Sequence, residues 1–387
     1  MGRGARHPAG LVACVGLVAL AIAMGIGRFA FTPIFPMMKE DAGLSIAAGG
    51  WLASANYGGY LIGALSAIGM RVRPAAAIRV GLLLIGASTV AMGLEHRFPV
   101  WVVLRAVAGV ASAWVLVFVS TWALDQFGAV GRSNLSGAMY AGVGTGVVVA
   151  GGVCLVLVGI RATSAVAWMT LGIVSLALTA GIWPLVQPGP AATKTAASAV
   201  PQSKRWNAEF WRLVLCYGAF GFGYIIPATF LPVMAKEIIS DPRLFGWAWP
   251  IFGAAAIAST LYAAQWGRTT SHRSVWIVAS LLMAVGVVVP LVVPGLVGIV
   301  VAALLVGGTF MVNTMAGMQE ARRVAGSDAR ALMAAMTSAF AVGQVAGPVC
   351  VSYLVGLKHG YAAALILASV LLALSAFALT HHQLGKK

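Results

Sequence analysis

Apolar stretches of about 20 residues recur from one end of this 387-residue chain to the other, and each is long enough for an α-helix to cross a bilayer. Only 9% of the residues are charged, whereas 60% are hydrophobic. A soluble protein of this length needs much more charge to cover its surface. A membrane β-barrel is excluded as well, because its strands alternate in polarity over short segments of about 10 residues. The sequence therefore predicts an all-α polytopic membrane protein.

Twelve membrane spans are predicted, with ends uncertain by a few residues. They lie at about residues 10–36, 46–69, 75–94, 99–122, 134–158, 163–185, 210–234, 245–266, 275–293, 296–318, 330–356 and 361–380. A segment rich in Pro, Ala, Ser, Thr and Lys separates the sixth span from the seventh, and this composition is typical of a solvated linker. We predict three parts: a six-helix bundle over residues 1–186, a linker over 187–208, and a second six-helix bundle over 209–387.

The two predicted bundles resemble each other at a constant offset of 196 residues. The matching blocks are Gly25, Gly27, Pro36 and Met38 with Gly221, Gly223, Pro232 and Met234; Gly50-Trp51 with Gly246-Trp247; and Ala150 to Cys154 with Ala346 to Cys350. One match would mean little in a chain rich in Ala, Gly and Val, but three at one offset indicate a duplication. Parallel six-span repeats are typical of transporters whose site lies between the repeats.

The basic residues predict the orientation of the chain in the membrane. Of the 25 Lys and Arg residues, 17 fall in the predicted inner segments and six in the outer loops. This asymmetry places both termini and the linker in the cytoplasm. The net charge of +16 is therefore mostly a topology signal, and we do not expect a nucleic-acid partner. The four cysteines lie in apolar segments and read as packing residues, so neither a metal site nor a cofactor is expected.

Three motifs resemble those of the major facilitator superfamily. The segment RAVAGVASA, from Arg105 to Ala113, is similar to the Arg-x-x-x-Gly motif of the fourth span. The loop GALSAIGMRVRP, from Gly63, is similar to the Gly-rich basic loop, although Ala67 stands where the superfamily usually has an aspartate. The segment GIGRFAFTPIFPMM, from Gly25 to Met38, resembles the first-helix signature of a bacterial subgroup. The resemblance implies two pseudo-symmetric six-helix bundles in a bacterial inner membrane, with the first, fourth, seventh and tenth spans lining a central cavity.

After the 17 inner and six outer basic residues are counted, two remain, Arg28 and Arg105, in the membrane interior, whereas each of the nine acidic residues lies in a loop or at a helix end. Arg28 lies eight residues before Pro36, and Arg105 lies six residues after Pro99. At about 1.5 Å per residue, both are roughly 9–12 Å below the outer boundary of the membrane. A charge at such a depth costs about 2.5–3.5 kcal/mol, so two of them without a carboxylate indicate a transient anionic partner. Two alternatives stay open: Arg105 bonds backbone carbonyls, and Arg28 extends its side chain towards water.

Polar and aromatic residues in apolar surroundings complete the predicted substrate site. Tyr224 occupies the position that corresponds to Arg28 in the second half, and the other candidates are Asn56, Tyr57, Tyr140, Asn313 and Gln344. Each of them is alternatively a hydrogen-bonded packing group. Asp125 and Glu320 end the fourth and tenth spans at corresponding positions, and with Arg132 they are interpreted as a cytoplasmic gating network. We expect Pro33 and Pro36 to bend or end the first span, and the glycines at 142, 144 and 146 to allow close helix contact.

The function predicted from these features is secondary active transport of a small organic anion of the carboxylate type by alternating access. Transport proceeds by anion exchange or by proton-linked co-transport, in a protein expected to be a monomer in the lipid bilayer. A proton-coupled exporter of drugs or amino acids is the first alternative, and a membrane receptor or sensor without transport activity is a remote one. An enzyme is not expected, because the spans contain no nucleophile–base set and no metal-ligand spacing.

Overall fold

The computed structural model describes residues 8–187, 207–238, 247–354 and 360–380, and this part of the chain is helical without strands. The helices are α1 (Ala9–Leu20), α2 (Phe31–Asp41), α3 (Ile46–Gly69), α4 (Pro74–Leu94), α5 (Phe98–Ala129), α6 (Leu135–Gly159), α7 (Ser164–Ile182), α8 (Ala208–Ile238), α9 (Ala248–Trp266), α10 (His272–Val292), α11 (Gly295–Ala325), α12 (Ala329–Leu354) and α13 (Gly360–Thr380). The first span consists of α1, a π-helical segment at Ala21–Ile26, and α2. The predicted all-α polytopic fold is confirmed.

Nine stretches of the described chain are long and apolar enough to cross a membrane, and one of them, Gly295–Val351, contains both α11 and α12. The helices α3 and α9 fall outside these nine stretches. Neither contains a sufficiently apolar stretch of 18 residues, because small Gly, Ala and Ser residues are mixed there with polar and aromatic side chains such as Asn56 and Gln265. The two helices nevertheless occupy equivalent places, as the second span of each half.

Helix packing in the first six spans recurs in the last six. In the first six spans, α3 packs on α5, α1 on α6, and α4 on α7. The equivalent pairs in the last six spans are α9 with α11, α8 with α12, and α10 with α13. Between the two sets, α6 packs on α9 and α3 on α12. This is the pairing expected of a duplicated six-helix unit. Residues 188–206 of the linker lie outside the described residues, so the division into two bundles at 187–208 stays a prediction. Below, residues 8–187 are called the N-terminal half and residues 207–380 the C-terminal half.

Pro33 and Pro36 do not end the first span, contrary to one of the two predicted effects of these prolines. Both prolines lie within α2, which continues to Asp41. Pro33 is in the first turn of this helix, where a backbone N–H has no intrahelical partner to lose. The departure from α-helix occurs earlier, in the π-helical segment at Ala21–Ile26 and the turn that follows it. It is this break that positions the candidate site.

Candidate functional site

The first span is broken between Ala21 and Ala30. The backbone N–H of Gly27 donates to the carbonyl of Ile22 over 2.8 Å, and that of Phe29 donates to Met24 over 3.1 Å. Both bonds reach back five residues and not the four of an α-helix, which widens the turn. Gly25 lies here against the backbone of Gly146 in α6, so closely that a Cβ on Gly25 would overlap it. The widened turn leaves carbonyl oxygens that need donors from other helices.

Side chains from α3 and α5 supply these donors. The Ser112 hydroxyl donates to the carbonyl of Ala23 over 2.6 Å. Arg105 donates from Nη1 to the Gly27 carbonyl over 3.1 Å and from Nη2 to the Arg28 carbonyl over 3.3 Å. Asn56 donates from Nδ2 to the carbonyls of Arg105, over 3.0 Å, and Gly27, over 3.4 Å. Arg105 therefore positions the broken segment of the first span. This agrees with the alternative interpretation of Arg105 from the sequence, in which it bonds backbone carbonyls.

The guanidinium of Arg28 projects from this segment into the interface between the two halves. Its Nη2 donates to the side-chain Oε1 of Gln344 in α12 over 2.6 Å. Its Nε and Nη1 are buried and have no hydrogen-bond partner, and the residue is only 4% exposed. The ring of Tyr60 lies 3.9 Å from the guanidinium carbon. The side chain therefore does not extend to water; a cation–π contact compensates part of its charge, and two of its nitrogens stay free for a ligand.

Arg28 and Arg105 lie at one level, because the Arg105 side chain reaches the Arg28 carbonyl. Among the described residues, neither arginine forms an ion pair with an acidic side chain. The site thus contains two buried cations, one of them occupied by backbone carbonyls.

Aromatic rings surround the free side of Arg28. Phe29 and Tyr57 lie 5.6 and 5.7 Å from its guanidinium carbon. The ring of Phe29 meets Phe310 edge-on, with centroids 5.7 Å apart, and Trp249 at 6.4 Å. Further contacts join these rings in a set that we call the aromatic cluster: Phe29, Tyr224, Trp249, Phe252 and Phe310. Except for Phe29, the cluster belongs to the C-terminal half.

The two halves differ most at the break. At the offset of 196, Arg28, Asn56 and Arg105 correspond to Tyr224, Phe252 and Val301. The helix α8 runs unbroken from Ala208 to Ile238, where the N-terminal half has its π-helical segment. Asn56 and Arg105, which donate to unpaired carbonyls in the N-terminal half, are thus replaced by apolar side chains in the C-terminal half, where no carbonyls need such donors. The interface has a cationic wall from the N-terminal half and an aromatic wall from the C-terminal half.

Residues 20–380 match the model of the family described as uncharacterised MFS-type transporter YbfB. The chain belongs to this family. It is a multi-pass membrane transporter of the major facilitator superfamily, and the match covers both the broken first span and the aromatic cluster. A search of curated proteins gives no match to the transporter.

Two other predicted site residues of the transporter bond within their own half. The hydroxyl of Tyr140 donates to Ser120 over 2.7 Å. Asn313 accepts from the Ser280 hydroxyl over 2.9 Å, although its Nδ2 is buried without a partner. The structure thus brings together Arg28, Asn56, Tyr57, Tyr224 and Gln344, with Arg105 behind them, and gives Tyr140 and Asn313 packing partners. Sequence reasoning did not find Ser112, a small polar residue in an apolar span with no distinguishing signal.

The predicted gating residues fall into two groups at the other end of α5 and α11. Asp125 accepts from Arg322 over 2.9 Å, and this ion pair joins the two halves. Glu320, fully buried, accepts from Arg273 Nε over 2.8 Å and from Arg323. Arg132 is exposed and belongs to neither group; it lines a surface depression with Arg268.

Arg273 is buried at the start of α10. It pairs with Glu209 as well as Glu320, so this buried cation, unlike Arg28, has acidic partners. In the loop before α5, hydrogen bonds from the Arg97 side chain and from the backbone of His96 and Arg97 lower the pKa of Glu95 to about 2. In the described part of the chain, no group of three His, Cys, Asp or Glu residues lies together as metal ligands would.

Proposed function

We propose that this transporter moves a small organic anion across the bacterial inner membrane by alternating access, with Arg28 as the residue that binds its carboxylate. The observation that carries the proposal is the state of the Arg28 guanidinium. It is buried, it has two nitrogens without a hydrogen-bond partner, and it has no ion pair with an acid in the described chain. A group of this kind is costly in a membrane protein unless a ligand satisfies it.

A carboxylate fits the free side of Arg28 better than other ligands. A carboxylate accepts two parallel hydrogen bonds from a guanidinium, either from Nη2 and Nε or from Nη2 and Nη1. Nε and Nη1 of Arg28 have no partner, so either arrangement requires only that Nη2 is released from Gln344. Arg105 adds a second positive charge directly behind the broken segment without offering its Nη donors, which are bonded to carbonyls. Both charges favour an anion, and Arg28 alone orients it.

The Arg28–Gln344 bond suggests how binding is linked to the movement of the halves. This bond connects the broken first span to α12 of the C-terminal half. A carboxylate that binds Arg28 competes with the Gln344 side chain for the same donors and offsets the buried charge. In the empty carrier this charge is not offset, so the empty carrier reorients slowly, which favours exchange of anions. A proton that travels on the substrate gives proton-linked co-transport. We further propose a monomer with both termini in the cytoplasm, in accord with the distribution of basic residues.

A thermal-shift screen of carboxylates on the purified full-length protein tests the proposal. A ligand that binds the native state raises the unfolding midpoint by an amount that increases with the ratio of its concentration to its Kd. We expect at least one carboxylate to stabilise the unmutated protein and the control variant Arg71→Ala, whose side chain is exposed, but not Arg28→Ala. Equal stabilisation of Arg28→Ala, or stabilisation by no carboxylate in the screen, would contradict the proposal.

A further inference from the structure

We infer that the transported anion is an aromatic monocarboxylate: one carboxylate group on an aromatic ring. This inference rests on the function proposed above and names the class of substrate. The juxtaposition that supports it is a single free guanidinium, Arg28, beside an aromatic cluster that closes the same interface from the opposite half.

The number of buried arginines with unpartnered donor nitrogens indicates how many carboxylates the substrate has. Three arginines are buried in the described chain, namely Arg28, Arg105 and Arg273. Arg105 donates from both Nη atoms to backbone carbonyls, and Arg273 is paired with Glu209 and Glu320. Only Arg28 has two donor nitrogens without a partner. A dicarboxylate would bring a second charge into the interface with no cation to meet it, and the burial of an unpaired charge is strongly unfavourable.

The aromatic cluster indicates the chemical nature of the group that is attached to the carboxylate. Tyr224 and Phe310 stack with centroids 4.7 Å apart and planes at 17°, while Phe29 meets Phe310 edge-on at 87°. Trp249 and Phe252 stack at 5.4 Å. The rings thus pack on one another face to face and edge to face, the two geometries in which aromatic groups also bind an aromatic ligand. An aliphatic chain would gain contact area there but not the favourable ring geometry.

The position of Phe29 links the carboxylate to the ring. Phe29 follows Arg28 directly in the broken segment, and its ring lies 5.6 Å from the guanidinium carbon. The same ring contacts Trp249 and Phe310 in the C-terminal half. Separation of the halves therefore opens the Phe29 contacts and the Arg28–Gln344 bond together. A ring attached to a carboxylate on Arg28 would take the place that the C-terminal rings vacate.

Isothermal titration of the purified full-length protein with three probes tests the inference. Benzoate has one carboxylate and a ring, cyclohexanecarboxylate has the same carboxylate on a saturated ring of similar size, and succinate has two carboxylates. We expect benzoate to bind roughly tenfold more tightly than either, because one or two aromatic contacts differ. Phe310→Leu should reduce the affinity for benzoate and leave that for cyclohexanecarboxylate nearly unchanged, a comparison that remains valid if the variant is less stable.

The outcomes separate the two proposals. Binding of cyclohexanecarboxylate or succinate as tightly as benzoate, with each lost in Arg28→Ala, would overturn the aromatic assignment and leave the anion carrier intact. Binding of benzoate that persists in Arg28→Ala would overturn both. No binding of any of the three probes would overturn the aromatic assignment, while the carboxylate screen described above decides the anion carrier. Equal loss of affinity for benzoate and cyclohexanecarboxylate in Phe310→Leu would show that the cluster packs the interface and does not select the ring.

Discussion

Arg28 and Gln344, 316 positions apart in the sequence, are joined by a hydrogen bond of 2.6 Å between two halves that repeat each other. The donor lies on a broken span, whose Gly27 carbonyl accepts hydrogen bonds from Arg105 and Asn56. The acceptor is a neutral amide, so the charge of Arg28 is not neutralised by this bond. A ligand that neutralises the charge must compete with the bond to Gln344.

The first prediction concerns Arg105. Arg105→Met removes the guanidinium donors, which leaves the Arg28 carbonyl without a side-chain partner and the Gly27 carbonyl with only the bond of 3.4 Å from Asn56. Hydrogen bonds from a charged group contribute about 1.5–3 kcal/mol each, so the thermal midpoint of the protein should fall clearly even without ligand. A midpoint equal to that of the unmutated protein would show that Arg105 does not hold the broken segment.

Gln344→Glu should lower the affinity for anions. The new carboxylate at position 344 would lie on Arg28 permanently, in the place that the substrate carboxylate needs. A buried, hydrogen-bonded ion pair resists displacement, so the dissociation constant for a carboxylate should rise at least roughly tenfold, about 1.4 kcal/mol. Isothermal titration of the two proteins side by side measures this change. Unaltered affinity would mean that the ligand does not use the Arg28 donors.

The gating residues should respond according to their burial. In the Asp125–Arg322 pair the side chains are 58% and 33% exposed, and such pairs contribute about 0–1 kcal/mol. Asp125→Asn should therefore leave the thermal midpoint nearly unchanged while altering the transport rate, since the pair joins the two halves.

Glu320→Gln provides the contrast, because it would leave the buried Arg273 with one acidic partner fewer. Breaking a buried pair in this way costs about 3–5 kcal/mol, so the midpoint should fall strongly. Comparable midpoints for Asp125→Asn and Glu320→Gln would contradict the different burial of the two groups.

Close contact between α6 and α9 gives a matched pair of glycine variants. A Cβ on Gly144 would lie 2.6 Å from the carbonyl oxygen of Gly253 in the other half, whereas a Cβ on Gly152 in the same helix would meet nothing within 4 Å. Gly144→Ala should therefore cost about 1–3 kcal/mol and slow transport, as expected of overpacking at an interface. Gly152→Ala should leave both unchanged, and equal behaviour of the two variants would argue against tight contact.

Much of the fold could be predicted from the sequence, because bilayer thickness sets the length of each apolar stretch. The buried arginines could also be found, since a cation in an apolar run is easily seen. The break in the first span could not, because its cause is non-local: Ser112, 89 positions away from Ala23, satisfies a carbonyl that only a widened turn exposes. The prolines are a more visible signal, but Pro33 falls in a first helical turn, where it is tolerated.

The side chains of the gating groups show a similar limit. Asp125 and Glu320 correspond in sequence and suggest one network, but the first is exposed and the second is fully buried. The difference comes from Arg273 and Glu209, which the C-terminal half provides next to Glu320. A pattern of charges along the chain indicates where acids and bases lie, but it does not indicate which of them the packing of three helices brings together.

Uptake of radiolabelled carboxylate into proteoliposomes, with benzoate and succinate measured in parallel, tests the central claim about Arg28 most directly. Arg28→Ala should abolish uptake while its thermal midpoint stays close to that of the unmutated protein. Arg71→Ala, which changes an exposed arginine between α3 and α4, should transport normally. Uptake by Arg28→Ala at the rate of the unmutated protein would contradict the assignment of Arg28 as the residue that binds the anion.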